Sequence, residues 1–260
     1  MGAYRHAVER ADSSDLACGV VLHSAPGYPA FPVRLATEIF LRARARLPQE
    51  HPMTLWDPCC GSGYLLTVLG LLHRDALRQL VATDADPDPL ELAAKNLALL
   101  TPEGLSARED ERREQSVRFG KPAYLDAADA AVRLRERLDC GGGALPYALR
   151  TADVFAPASL AAALAAPDGA EGGPAIVPDL VLTDLPYGER THWEGEVPDG
   201  APVSAMLRSL ASVLPGHAVI AVTDRSRRIP IAPVPALERL KIGTRSAVLV
   251  RAGDVLDARP

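Results

Sequence analysis

The sequence predicts an α/β fold: an open, Rossmann-like sheet of seven strands carrying a charged helical insertion. Three observations predict it. Short apolar runs alternate with helical patterns in a β-loop-α-β order, which closes as a parallel sheet. Aspartates follow these runs at their C-terminal edges: Asp57, Asp84, Asp153 and Asp184. The last two runs face each other across Gly243, as a hairpin would. At 260 residues, 48% hydrophobic and 23% charged, the chain can bury one large core. A single domain over residues 1–260 is therefore expected, with 1–52 as an N-terminal extension bearing a helix and 102–150 as the insertion.

In chain order, residues 18–23 could form a short strand and 25–29, rich in proline and glycine, a loop. Pro32 suits the first turn of a helix reaching about Leu47, with Leu35, Ile39 and Leu47 on one face and Arg34, Arg42, Arg44 and Arg46 on the other. Residues 53–56 read as a buried strand, 57–63 as a tight loop, 64–72 as an apolar helix and 79–83 as a second strand. A helix follows over 90–100. Residues 102–150 are dense in both signs of charge, patterned as helix and closed by Gly141-Gly142-Gly143. A strand near 147–151, an alanine-rich helix over 158–166 and a Gly/Pro linker lead to a fourth strand, 179–183. A helix over 203–214, a fifth strand over 217–223 and the hairpin of 240–242 with 246–250 complete the order.

Bulk properties exclude several classes. No run of about 18 apolar residues lacks a charge or proline, so no membrane span is expected. The N-terminus has no apolar core of a secretory signal. The four cysteines show no C-x-x-C pair and no zinc spacing, so no metal site is expected, and reduced thiols suit the cytoplasm. A net charge of −5 does not announce a nucleic-acid partner, nor exclude one, because phosphate affinity depends on local patches. No heptad or large apolar stripe calls for a dimer; a monomer is expected, with the oligomeric state left open.

Ligands of open α/β sheets bind beyond the C-terminal strand ends. Gly61 and Gly63 allow a tight turn and close backbone approach. Asp84 ends the following strand, where an acid would reach a ribose diol. The loop lacks the third glycine of a dinucleotide fingerprint and opens on an acid, which suits a cationic ligand better than a pyrophosphate. S-adenosylmethionine, with its sulfonium and ammonium, fits these residues. Asp57, Pro58, Cys59, Gly61, Gly63 and Asp84 are the candidate cofactor residues. Asp153 is added for adenine, although it equally suits a helix cap.

These motifs carry a family resemblance. Asp57-Pro58-Cys59-Cys60-Gly61-Ser62-Gly63 resembles motif I of class I methyltransferases, and Thr83-Asp84-Ala85-Asp86 their second motif. Asp184-Leu185-Pro186-Tyr187 is similar to the [DN]-P-P-Y catalytic motif, with Leu185 in place of the usual first proline. Across nearly its whole length the chain resembles the avilamycin-resistance ribosomal RNA methyltransferases of the AviRa type. The resemblance implies methylation of a guanine in 23S ribosomal RNA, a large-subunit RNA or subunit as partner, and orthosomycin resistance. The Gly188-Glu189-Arg190 tail resembles guanine-N2 enzymes and points to the exocyclic N2.

The expected transfer site is Asp184, Leu185, Pro186 and Tyr187. Asp184 and the Leu185 carbonyl would accept hydrogen bonds from the reacting nitrogen, Pro186 would stiffen the loop, and Tyr187 would stack on a flipped or unpaired base. The plainer reading is a turn with Tyr187 in the core. Pyrimidine-C5 chemistry is set aside because no cysteine lies in this loop. For phosphates, the candidates are the arginines of the first helix, those of the insertion, and Arg225, Arg227 and Arg228; each cluster also reads as a solvated face. Trp193 could stack on the base, and residues 28–32 could cover the cofactor. The same loop chemistry serves DNA adenine and protein glutamine, so those substrates stay open. A nicotinamide oxidoreductase and an inactive RNA-binding module are the remaining alternatives.

Overall fold

The computed structural model describes residues 4–17, 19–48, 51–165, 175–185, 201–226 and 228–258. Seven strands form one sheet in the order β3-β2-β1-β4-β5-β7-β6. They are β1 (Met53–Asp57), β2 (Leu77–Asp84), β3 (Tyr147–Thr151), β4 (Leu180–Asp184), β5 (Val219–Asp224), β6 (Glu238–Ile242) and β7 (Arg245–Arg251). The first five are parallel, and β7 runs antiparallel between β5 and β6. Strand order reverses between β1 and β4, which places the switch point at the loop after β1.

The central strands are buried on both faces, as parallel strands covered by helices must be. Successive side chains alternate between two cores. Leu55, Leu80, Leu180 and Leu182 enter one, shared with Leu35 and Ile39 of α1 (Val33–Arg44), Leu66 of α2 (Tyr64–Leu72) and Leu97 of α3 (Leu90–Ala98). Trp56, Val81 and Val181 enter the other, against Leu160, Met206 and Val255. Those three residues come from α6 (Pro157–Leu164), α7 (Pro202–Val213) and α8 (Ala252–Asp257).

The insertion is an antiparallel helix pair, α4 (Pro102–Phe119) and α5 (Pro122–Cys140). Thr101 caps α4, its hydroxyl accepting the Gly104 N–H at 3.0 Å. Proline opens both helices, and Gly120, at φ 64°, makes the left-handed turn between them. The helix pair ends at Cys140, so β3 lies inside the 102–150 boundary expected from charge density. The strand expected near 147–151 is β3, and the insertion proper is the helix pair alone.

Two other expectations change. Residues 19–23 form turns rather than a strand, because their carbonyls are taken by side chains of α4. Arg108 Nε donates to the Val21 carbonyl at 2.7 Å, and Arg112 donates to Val20 at 2.9 Å and Gly19 at 2.7 Å. Cys18 lies outside the described residues. The C-terminal α8 had no sequence signal strong enough to predict it.

Three of the four arginines expected on the first helix, Arg34, Arg42 and Arg46, are engaged in holding the fold together. Glu38, wholly buried, accepts the N–H groups of Arg5, His6 and Ala7 at 2.7–2.9 Å and pairs with Arg42 at 2.6 Å. Arg42 and Arg46 both reach Glu238 on β6, and Arg34 donates to the carbonyls of Ala7 and Val8. This network ties the N-terminal segment to the far edge of the sheet. Burial pushes the Glu38 carboxyl up, but those amides and the Arg42 guanidinium together pull it down to about 2.

Candidate functional site

Asp84, Asp57 and Asp184 terminate the three adjacent strands β2, β1 and β4 on one side of the sheet, and Asp153 follows β3 beside them. The loop after β1 is held from below. Cys60 N–H donates to the Thr83 carbonyl at 2.9 Å, and Gly61 N–H donates to Asp84 Oδ2 at 2.8 Å. Gly61 (φ 49°) and Gly63 (φ 68°) both take the left-handed conformation, and a Cβ on Gly63 would press on the Ala93 backbone at 3.2 Å. The two glycines therefore let the loop turn while α2 packs close to α3. Asn96 closes the turn from α3, donating to the carbonyls of Ser62 and His23.

Asp57 is 2% exposed, and its Oδ1 accepts the Cys59 N–H at 3.2 Å. Burial, with the charges of Asp84 and Asp184 adding in the same direction, pushes its carboxyl up to about 7. Asp84 is also raised, mainly by burial, against the opposing amides of Gly61 and Asp86. Such a cluster of desolvated carboxylates is short of positive charge. It suits a cation and repels a phosphate. Asp153 spends one oxygen on a turn, accepting the Phe155 N–H at 2.8 Å ahead of α6. Cys60 is buried and Cys59 half-buried, and burial pushes both thiols well up. Pro58 lies in the turn between Asp57 and Cys59.

At the end of β4, Leu185 is buried in the second core and its N–H donates to the Thr223 carbonyl at 2.8 Å. Asp184 Oδ1 accepts two donors, the Thr223 hydroxyl at 2.5 Å and the guanidinium of Arg245. No described residue donates to Oδ2. Arg245 is 4% exposed and lies 4.5 Å over the ring of Phe31. Burial raises the Asp184 carboxyl, while Thr223 and Arg245 pull it the other way. Pro186, Tyr187, the Gly188-Glu189-Arg190 tail and Trp193 lie outside the described residues.

Arg245 and Thr223 were missed in the sequence. Thr223 reads as an ordinary strand residue. The only signal for Arg245 is a charge opening an otherwise apolar strand, and it gains meaning because antiparallel β7 begins where its parallel neighbours end. The segment of residues 28–32 does lie over the site. Phe31 stacks on Arg245, and the Tyr28 ring stands 4.0 Å from where a Cβ on Gly61 would be. Tyr64 anchors the preceding turn, its hydroxyl donating to the Leu16 carbonyl at 2.8 Å. Among the phosphate candidates, Arg225 and Arg228 are exposed beyond the C-terminal end of β5, and Arg227 lies outside the described residues. The insertion's Arg108 and Arg112 point inward, and its Arg113, Arg133 and Arg135 are paired with Glu109, Asp15 and Glu109.

Comparison with known proteins is specific. A family model described as rRNA methyltransferase AviRa matches residues 2–245. A 23S rRNA (guanine(2535)-N(1))-methyltransferase of Streptomyces viridochromogenes is 76% identical over 260 residues, covering 100% of both chains. Two solved structures of the rRNA methyltransferase aviRa from Streptomyces viridochromogenes are each 76% identical with a TM-score of 0.91 and full coverage of both chains.

Proposed function

Because the chain belongs to the AviRa family of ribosomal RNA methyltransferases, we propose that it methylates N1 of a guanine in 23S ribosomal RNA, with S-adenosylmethionine as donor. One observation carries this reading: 76% identity over the full length of both chains to an enzyme whose substrate and atom are those. The N2 expectation drawn from Gly188-Glu189-Arg190 gives way to N1. A short tail shared with guanine-N2 enzymes weighs less than identity along the whole chain.

The residues at the strand ends fit the donor. Asp57 and the glycine turn would hold its charged amino-acid part, with Pro58 and Cys59 shaping the loop. Asp84 would take the ribose and Asp153, after β3, the adenine. When bound, the donor supplies an electrophilic methyl group on a good leaving group. The chain's own task is to orient guanine and accept a proton, because N1 of neutral guanine carries a hydrogen and becomes nucleophilic as that hydrogen leaves.

Asp184 suits the proton-accepting role. Oδ1 is committed to Thr223 and Arg245, so Oδ2 is the atom left to meet N1–H. Arg245 also opposes the rise that burial imposes on the Asp184 carboxyl, favouring its ionised form. Leu185 fixes the strand end through its bond to Thr223. Pro186 and Tyr187 keep the roles implied by the motif, a stiff loop and a stacking face for an unpaired or flipped base. No helix among the described residues is long and apolar enough to cross a membrane, and we place the enzyme in the cytoplasm, where its ribosomal substrate is. Methylation in the large subunit would protect against orthosomycins.

The test is transfer of labelled methyl to 23S ribosomal RNA by wild type and Asp184→Asn, followed by nucleoside analysis. Labelled 1-methylguanosine with wild type, and its loss in the variant, is the expected result. Label on adenine, on guanine N2 or on protein would overturn the substrate reading.

A further inference from the structure

The helix pair of the insertion ends in a surface that neither the cofactor nor the transfer chemistry uses. Its tip, residues 115–125, contains Arg118 and Lys121 and no acid, although acids crowd both flanks (Glu109, Asp110, Glu111 and Glu114 before it, Asp126 and Asp129 after). In a chain of net charge −5, this is a local reversal of sign. The same turn exposes apolar side chains that a solvated hairpin has no reason to show: Val117 is 90% exposed, Phe119 50% and Leu125 46%. Phe119 and Tyr124 stand with ring centroids 5.8 Å apart, the Arg118 guanidinium lies 5.1 Å over Phe119, and Arg112 lies 5.9 Å over Tyr124.

The tip is on the ligand side of the sheet. The base of α4 is at the strand starts, where Leu145 N–H, just before β3, donates to the Leu100 carbonyl at 2.9 Å. Eighteen helical residues rise roughly 27 Å, while a five-residue strand such as β1 spans only about 17 Å. An arm of that length, leaving from the strand starts, is long enough to carry its tip to the level of the strand ends. Midway along α4, Arg108 and Arg112 clamp residues 19–21, at the start of the segment that continues to Tyr28 and Phe31 over the site. The arm is thus braced against the cover of the active site, and among the described residues its end is exposed.

We infer that this tip docks the 23S ribosomal RNA beside the target guanine, with Phe119 and Tyr124 as a stacking platform for an unpaired base and Arg118 and Lys121 on the flanking phosphates. Rings paired with guanidinium groups and bordered by positive charge are what single-stranded or looped RNA requires. A protein partner fits less well. A stable protein interface needs about 800 Å² from each side, far more than one helical turn presents, whereas one or two nucleotides match its size.

The inference rests on the proposed substrate, and its test separates the two. Full-length wild type, Phe119→Ala, Phe119→Trp and Lys121→Glu are compared for binding to transcribed 23S ribosomal RNA, for kcat and KM, and for affinity towards S-adenosylhomocysteine. Phe119→Ala is expected to weaken RNA binding and raise the RNA KM roughly five- to hundredfold, with kcat at saturating RNA and S-adenosylhomocysteine affinity unchanged. Phe119→Trp, which keeps a ring, restores wild-type KM. Lys121→Glu lowers the slope of log affinity against log salt by about one. Wild-type RNA affinity and salt slope in both Phe119→Ala and Lys121→Glu overturn the inference. So does a result in which Phe119→Ala leaves RNA binding intact but abolishes self-association or binding to a ribosomal protein. If wild type binds this RNA but methylates something else, the proposed reaction fails, and the tip is judged by the affinities alone.

Discussion

Replacing Asp57 by asparagine removes the most deeply buried carboxyl at the strand ends while keeping its size and its acceptor. In the wild type that carboxyl is held at about 7 by burial, with Asp84 and Asp184 adding in the same direction. A cation placed against it favours the ionised form, so donor binding expels the proton wherever the free protein carries one. The free protein carries roughly 0.9 proton there at pH 6 and roughly 0.1 at pH 8. Binding should release those amounts, and affinity should fall about tenfold for each pH unit below 7. The sign for stability is opposite to that of an ordinary paired carboxylate. The folded value lies above the unfolded 3.8, so the stabilising contribution is complete below about 4 and is lost as pH rises through about 7, a span on the order of 4 kcal/mol. Calorimetry of S-adenosylmethionine and S-adenosylhomocysteine binding in buffers of different ionisation enthalpy measures the proton count, and thermal melts measure the stability. Asp57→Asn should bind weakly, release fewer protons than wild type at pH 6 and lose the Asp57 share of the fall in stability between pH 4 and 7, with Asp84 and Asp184 keeping theirs. Proton release by the variant equal to wild type, or none from wild type at pH 6, would refute the assignment of Asp57.

Other perturbations test the remaining parts of the argument. Arg245→Ala removes the guanidinium that opposes burial at Asp184, facing the carboxylates of Asp57 and Asp224. The acidic limb of the kcat profile should move to higher pH with little change in RNA KM, and Arg245→Lys should recover part of the shift. An unmoved limb would show that Arg245 is only structural. Glu38→Ala breaks a buried pair and orphans three amides, so chemical denaturation should show a loss of about 3–5 kcal/mol. Because Glu38 is pulled down to about 2, its contribution is complete above about 4.5 and is lost as pH falls through about 2; acid titration of wild type against the variant checks this. Gly104→Ala would put a Cβ 1.9 Å from the Ala98 carbonyl oxygen, forcing the start of α4 outward. A drop of about 1–3 kcal/mol in denaturant stability is expected, whereas Gly120→Ala, with open space around it, should cost only the left-handed strain.

The order of elements and the glycine loop were legible in the sequence because they are local. Apolar runs of strand length, a Gly-Ser-Gly turn and an acid after each run need no partner to be recognised. The hairpin across Gly243 and the helical character of the insertion follow from the same period and turn rules. The fate of each charge was decided elsewhere. Arg42, Arg108 and Arg112 look like any solvated arginine in sequence, yet carbonyls and a carboxylate from distant segments accept their hydrogen bonds, and Arg118 and Lys121 are left exposed. Arg245 meets Asp184 only because β7 inserts antiparallel beside β5 and brings its first residue to the end where the parallel strands finish. Spacing and periodicity report a residue's own element. Which charges are desolvated together depends on contacts between segments far apart in the chain, and those exist only once the sheet has closed.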